Sequence, residues 1–247
     1  MAPETENNLV GVPGLAQEID EQLRELGSQT TEDIREVRRE FSKRLEGAAP
    51  HVVTELAMLL LELPGHEYRF FAYELIHHHG RALYKLNAWE LERLGCGISS
   101  WGAADCFGIF LAGPLWRERR VPASLVHNWA RSADHWWRRI ALVSTVPLNS
   151  NAQGGGSEGD AHRTLQVCRI LERDRDPMVV KAMSWALREL AKVQPRAVRA
   201  YLKERKTILA PRVLREVQNK LATGLKHPGR RQKSATTKPL KKDRRAR

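Results

Sequence analysis

Hydrophobic residues recur along the chain at helical spacing, and the strict alternation typical of strands is nearly absent. Between short breaks such as Pro64-Gly65 and Gly113-Pro114, the sequence is dominated by Leu, Ala, Arg and Glu, which favour helices. The pattern predicts helices over residues 14–26, 31–46, 49–62, 66–79, 86–94, 99–112, 122–131, 134–146, 162–173, 177–192, 195–204 and 210–223. The chain is therefore predicted to be all-α.

Three of the predicted helices begin alike, with a polar start, a bulky residue and then a cation. The cations are Arg69, Arg138 and Lys181. Their separations correspond to roughly two repeats and one repeat of the ~40-residue HEAT class. This weak self-similarity predicts an α-solenoid of about six helical hairpins.

Composition divides the chain into a repeat domain, predicted over residues 14–225, and two flexible ends. Residues 1–13 form the predicted N-terminal extension, and the Gly-rich segment 149–160 is a predicted flexible connector inside the array. Most of the net charge of +12 lies in residues 226–247, which hold ten Lys or Arg and one acidic residue. We expect this tail to be disordered and to add sequence-independent attraction for nucleic acid.

Several function classes are disfavoured by the sequence. The three cysteines form no C-x-x-C pair, and their odd number argues against a disulfide framework. No secretory signal is visible at the N-terminus. The apolar stretch 98–116 contains polar residues, glycines and Pro114, so it predicts a buried helix that breaks at Gly113-Pro114 rather than a membrane span. His77, His78 and His79 are consecutive and fan out around a helix, so neither a metal site nor a cofactor is predicted.

The predicted helix that starts near Ser99 carries the most informative acidic residue. Trp101 and Asp105 are four residues apart and share one helix face, with only small or apolar residues beside them. A carboxylate buried there without a partner would be costly, so Asp105 is expected to find a partner on another helix or to face a cleft. A core aspartate that hydrogen-bonds a neighbouring helix remains an alternative at this stage.

Two further helices combine aromatic rings with cations. One carries Trp136-Trp137-Arg138-Arg139, and the other carries Trp185 with Lys181 and Arg188 on the same face. Such a pattern suits a nucleic-acid backbone, but it also suits a repeat core with solvated edges.

Taken together, these motifs resemble the AlkD family of alkylpurine DNA glycosylases. The resemblance covers roughly residues 14–225. It is closest in Lys181-Ala182-Met183-Ser184-Trp185-Ala186-Leu187-Arg188-Glu189. Trp101 and Asp105 resemble the family's Trp-x-x-x-Asp pair. The segment 135–141 resembles the helix that carries the family's pocket arginine, which aligns with Arg139. The turn at Gly27-Ser28-Gln29-Thr30 resembles one in the family's first repeat. Pro177-Met178 departs from an aromatic pair, and Glu18 stands at a loosely aligned tyrosine position.

The resemblance implies a concave DNA-binding groove and excision of cationic N3- or N7-alkylpurines, which leaves an abasic site. It implies that Asp105 stabilises the sugar cation, that Trp101 and Trp185 pack against deoxyribose, and that Arg139 holds a phosphate. Gln29, Arg138, Lys181 and Arg188 are the expected DNA contacts. No cofactor is expected.

The expected partner is double-stranded DNA containing alkylated purines, bound by a monomer in a bacterial cytoplasm at the nucleoid, without a membrane. Two alternatives remain open. One is a non-catalytic relative that recognises damaged or branched DNA by shape, and the other is a HEAT scaffold that binds proteins.

Overall fold

A computed structural model describes residues 11–27, 30–150 and 158–228 of the chain. Within these ranges the secondary structure is helical and no strand is present. The helices are α1 (Val12–Glu25), α2 (Thr31–Arg44), α3 (Pro50–Leu60), α4 (His66–His78), α5 (Gly80–Leu83), α6 (Ala88–Gly95), α7 (Trp101–Phe107), α8 (Gly113–Arg117), α9 (Ala123–Trp129), α10 (His135–Val143), α11 (Val146–Asn149), α12 (Ala161–Leu171), α13 (Pro177–Val193), α14 (Pro195–Glu204) and α15 (Pro211–Thr223).

The helices form two layers. In what we call the inner layer, α2, α4, α7, α10, α13 and α15 each pack against the next. The outer layer contains α1, α3 and α5 at one end and α9, α12 and α14 at the other. Apolar side chains fill the space between the layers along the whole array, from Ile19 and Phe41 to Leu190 and Val217. The predicted all-α solenoid is confirmed.

Polar residues at the predicted breaks start several helices. Thr30 and Asp33 form a capping box at α2, and the Asp176 carboxylate accepts hydrogen bonds from the backbone N–H groups of Met178 and Val179 at α13. Such caps satisfy N–H groups that have no partner inside the helix. The first helix begins at Val12, within the predicted extension, while residues 151–157 of the predicted connector and 229–247 of the tail lie outside the described residues.

The predicted break at Gly113-Pro114 is wrong. The backbone runs from α7 through a π-helical turn, Gly108–Ala112, directly into α8. Pro114 has no N–H to offer the carbonyl of Phe110, and that carbonyl instead accepts a hydrogen bond from Nδ1 of His77 at 2.8 Å. The π turn and this bond let the helix absorb the proline. Burial lowers the pKa of His77.

Two inner helices, α7 and α10, approach each other closely. A Cβ atom on Gly108 would lie 2.7 Å from Cγ1 of Val143, so glycine is required for this contact. Asp105 lies about one turn before Gly108, and Arg139 lies about one turn before Val143. The close approach therefore brings the two charged side chains within reach of each other.

No helix in the described ranges combines the length and the apolar character needed to cross a bilayer.

Candidate functional site

Asp105 and Trp101 project from α7, at the middle of the inner layer. Ser100 caps this helix, because its hydroxyl accepts a hydrogen bond from the N–H of Ala103. Trp101 is 62% exposed, which is unusual for so large an apolar side chain. The Asp105 side chain is only 18% exposed. One turn of helix thus presents an open indole ring beside a sheltered carboxylate.

The carboxylate of Asp105 accepts two hydrogen bonds from Arg139, on α10. Nε of Arg139 donates to Oδ1 at 2.9 Å, and Nη2 donates to Oδ2 at 2.8 Å. Nη1 of Arg139 donates to the carbonyl of Met178, on α13, at 2.6 Å. The arginine is 5% exposed. It therefore joins three consecutive inner helices and fixes the orientation of the carboxylate, in the two-point geometry that suits Arg and carboxylate best.

Burial and ion pairing act on Asp105 in opposite directions. Burial raises the pKa of Asp105, while the hydrogen bonds and the charge of Arg139 lower it, and the net shift is upward. Beside it, burial raises the pKa of the Cys106 thiol to about 12, so this cysteine is protonated at neutral pH. The sequence required a partner for Asp105, and the structure identifies Arg139.

The resemblance implies that Arg139 holds a phosphate, and in this structure its donors are directed at acceptors of the protein. Each of its three nitrogens already donates to a protein acceptor, and the side chain is buried. Arg138 is similarly engaged: it pairs with Asp174 at 2.7 Å and donates to the carbonyls of Ser132 and Ala133. Both arginines hold the protein together in this structure.

The expected residues on α13 lie on the next inner helix. Trp185 is half-buried, two turns beyond Met178, and Lys181 is exposed. Arg188 is half-buried and donates to the hydroxyl of Ser184 at 3.3 Å, and burial lowers its pKa. In the described part of the chain no hydrogen bond joins Trp185 to Asp105. Gln29 lies outside the described residues.

An open cleft of about 620 Å³ lies against Asp105 and Trp101, between α2, α4 and α7. Its lining is mostly apolar and includes residues that the sequence analysis did not single out, namely Ile34, His66, Glu67, Phe70 and Cys106. Trp185 is not part of this lining. The cleft has the size typical of a ligand site. The candidate site is therefore a carboxylate, fixed by Arg139, at the wall of a cleft on the inner layer.

The side chains that could ligate a metal are dispersed over the described residues. In that part of the chain, His, Cys, Asp and Glu form no group of three that could hold an ion. The consecutive histidines make separate contacts: His77 donates to Phe110, and Nδ1 of His79 accepts from the N–H of Ala82.

Comparison with known proteins identifies the family. The sequence profile of the family described as DNA alkylation repair enzyme matches residues 13–221, which is most of the chain. No curated protein matches the sequence. The chain therefore belongs to the DNA alkylation repair enzyme family, so its substrate is DNA and its activity is the repair of alkylation damage.

Proposed function

We propose that this protein is a monofunctional DNA glycosylase that hydrolyses the N-glycosidic bond of purines alkylated at N3 or N7. The observation that carries the proposal is the carboxylate of Asp105, sheltered and held at two points by Arg139, at the wall of a cleft on the inner layer. Double-stranded DNA binds along that layer. Because the described chain forms one continuous array, a monomer suffices.

The reaction begins with a weakened bond. Alkylation at N3 or N7 gives the purine a positive charge, so the C1′–N9 bond breaks with its electron pair passing to the base. The base then leaves in neutral form, and the positive charge develops on the sugar as an oxocarbenium ion. Water adds to C1′ and loses a proton to solvent, which leaves an abasic site and an intact phosphodiester backbone. No lysine nucleophile is needed.

Asp105 supplies negative charge where the sugar becomes positive. A fixed charge in a site sheltered from water stabilises a transition state far more than the same charge in bulk solvent. Each carboxylate oxygen can accept further contacts beyond its bond to Arg139. We assign Arg139 to positioning the carboxylate, since its own donors point to Asp105 and Met178.

The remaining residues serve DNA binding. Trp101, with its exposed ring, packs against the deoxyribose at the lesion. Trp185 lies on α13, beyond α10 in the inner layer, and contacts the backbone further along the array, while Lys181 and Arg188 attract the phosphates there.

Excision should fall at acidic pH, because the reaction needs the ionised form of Asp105. The pKa of Asp105 is raised, so the rate should rise with pH through a single ionisation above the ordinary value of 3.8 and then level off. Single-turnover rates with excess enzyme, corrected for spontaneous depurination at each pH, measure this limb. A rate that stays flat down to pH 4 would remove the carboxylate from the mechanism.

The charge of the leaving base should decide which lesions are excised. In one duplex sequence, 7-methylguanine should be released and neutral hypoxanthine should not, because a neutral base is a poor leaving group. Chromatography of free bases, with gel analysis of the strand before and after alkaline heating, measures both release and backbone integrity. Equal release of the two bases, or direct strand cleavage, would contradict the proposal.

A further inference from the structure

The inner layer must hold the DNA backbone, yet two of the arginines expected to contact DNA already donate to acceptors of the protein. Arg138 and Arg139 donate to carboxylates and carbonyls of the protein. The family membership nevertheless requires DNA binding, and phosphate contacts supply much of the affinity of such proteins. A cation that is fixed in place and still open to solvent would suit this role, and Arg35 on α2 meets both conditions.

Arg35 is held in place by the buried carboxylate of Glu74, on α4. Its Nε and Nη2 both donate to Oε1 of Glu74, at 2.9 and 2.8 Å. The Glu74 side chain is 2% exposed, whereas that of Arg35 is 37% exposed. No hydrogen bond of Nη1 of Arg35 is present among the described residues. The guanidinium is thus anchored on one edge and presents another edge to solvent.

The same guanidinium packs on a residue that lines the cleft. Its central carbon is 5.3 Å from the centroid of the Phe70 ring, and Phe70 lines the cleft together with Trp101 and Asp105. A guanidinium over an aromatic ring is attracted to the ring face, while its free edge remains available to an anion. Arg35 is not itself a lining residue, but its contact with Phe70 places it at the edge of the cleft, on the α2 side.

The ion-pair cluster that holds Arg35 is positively charged overall. Glu74 is shared by two arginines, because Nε of Arg38 lies 3.5 Å from Oε2. Arg38 is almost buried, at 8% exposure, so the cluster of one carboxylate and two guanidinium groups keeps one positive charge in excess, and Arg35 is its exposed member. Lys181 and Arg188 lie on α13, on the opposite side of α7 and α10 in the array.

We propose that Arg35 binds a backbone phosphate of the DNA on the N-terminal side of the cleft, so that cations bracket the site from both ends of the inner layer. The inference rests on DNA as the substrate and not on glycosylase chemistry. Its test therefore uses unmodified duplex, where excision plays no part.

The experiment compares binding of an unmodified duplex by the full chain and by Arg35→Gln over a series of salt concentrations. Loss of one phosphate contact should reduce the slope of log K against log salt by about 0.9. Affinity at low salt should fall roughly tenfold, since a hydrogen bond to a charged group is lost.

The Arg35→Gln variant should fold, because Gln can still donate to Glu74 and Arg38 remains as a partner of that carboxylate. Thermal unfolding of the variant checks this. Arg35→Lys should recover part of the slope.

The matched control is Arg24→Gln, which removes an exposed arginine from α1 in the outer layer, at a site where the side chain is 65% exposed. This control should keep the wild-type slope. An unchanged slope in folded Arg35→Gln would overturn the proposal. Equal losses in Arg35→Gln and Arg24→Gln would also overturn it, because they would indicate a general effect of net charge.

Discussion

Replacing Asp105 by Asn should slow single-turnover excision of 7-methylguanine by about 100- to 1,000-fold, the range seen when one preorganised electrostatic contact to a transition state is lost. Asn has nearly the same shape as Asp but no charge to offer the developing sugar cation. Its amide oxygen can still accept a hydrogen bond from Arg139. The loss should therefore appear in the rate of bond cleavage, measured with enzyme in excess, and only weakly in duplex binding.

The matched control for this substitution is Asp174→Asn. Asp174 forms a comparable sheltered ion pair with Arg138, which lies next to Arg139 on α10. The side chain of Asp174 is 11% exposed and that of Arg138 is 20% exposed. This control removes the same charge and should change excision little. A full excision rate in Asp105→Asn, or an equal loss in Asp174→Asn, would show that the Asp105 carboxylate has no special part in the reaction.

Replacing Arg139 by Gln should have the largest effect on stability. The variant leaves the Asp105 carboxylate sheltered with only a neutral donor, and removing one partner of a buried ion pair costs about 3 kcal/mol of unfolding free energy. Urea denaturation at neutral pH measures this loss. The loss should shrink once the pH falls below the pKa of Asp105, because the protonated acid no longer needs a cation.

The same variant should also move the pH profile of excision. Arg139 lowers the pKa of Asp105 against the effect of burial, so its removal should shift the acid limb to higher pH. Arg138→Gln, which alters the neighbouring pair, should leave the limb in place. A limb that does not move in Arg139→Gln would assign the arginine a structural role alone.

Much of the fold follows from local sequence signals. Helical periodicity, with caps such as Thr30 and Asp176, predicts the helices to within a few residues over most of the array. The exception at Gly113-Pro114 has a tertiary cause. His77, which is distant in sequence, donates a hydrogen bond to the Phe110 carbonyl. No local sequence signal reveals that bond.

The candidate site was predictable only in part. The helical spacing of Trp101 and Asp105, and the cost of an unpaired carboxylate, required a partner for Asp105 on another helix. Periodicity could not show that the donors of Arg139 are directed at the Asp105 carboxylate. That pairing depends on the close approach of α10 to α7 and to Gly108, in the π-helical turn that follows α7. Arg35 and Glu74 were missed for a similar reason, since an ion pair between two helices distant in sequence leaves no spacing pattern.

The measurement that tests the central claim most directly is the release of free 7-methylguanine from one defined duplex, by the wild-type chain and by Asp105→Asn at equal fractions of bound DNA. Our account predicts release by the wild type, with an abasic strand that breaks only on alkaline heating, and release at least about 100-fold slower by the variant. Binding of the duplex without release by the wild type would contradict the account and identify a non-catalytic DNA-binding relative; release at equal rates by both proteins would contradict the role of Asp105.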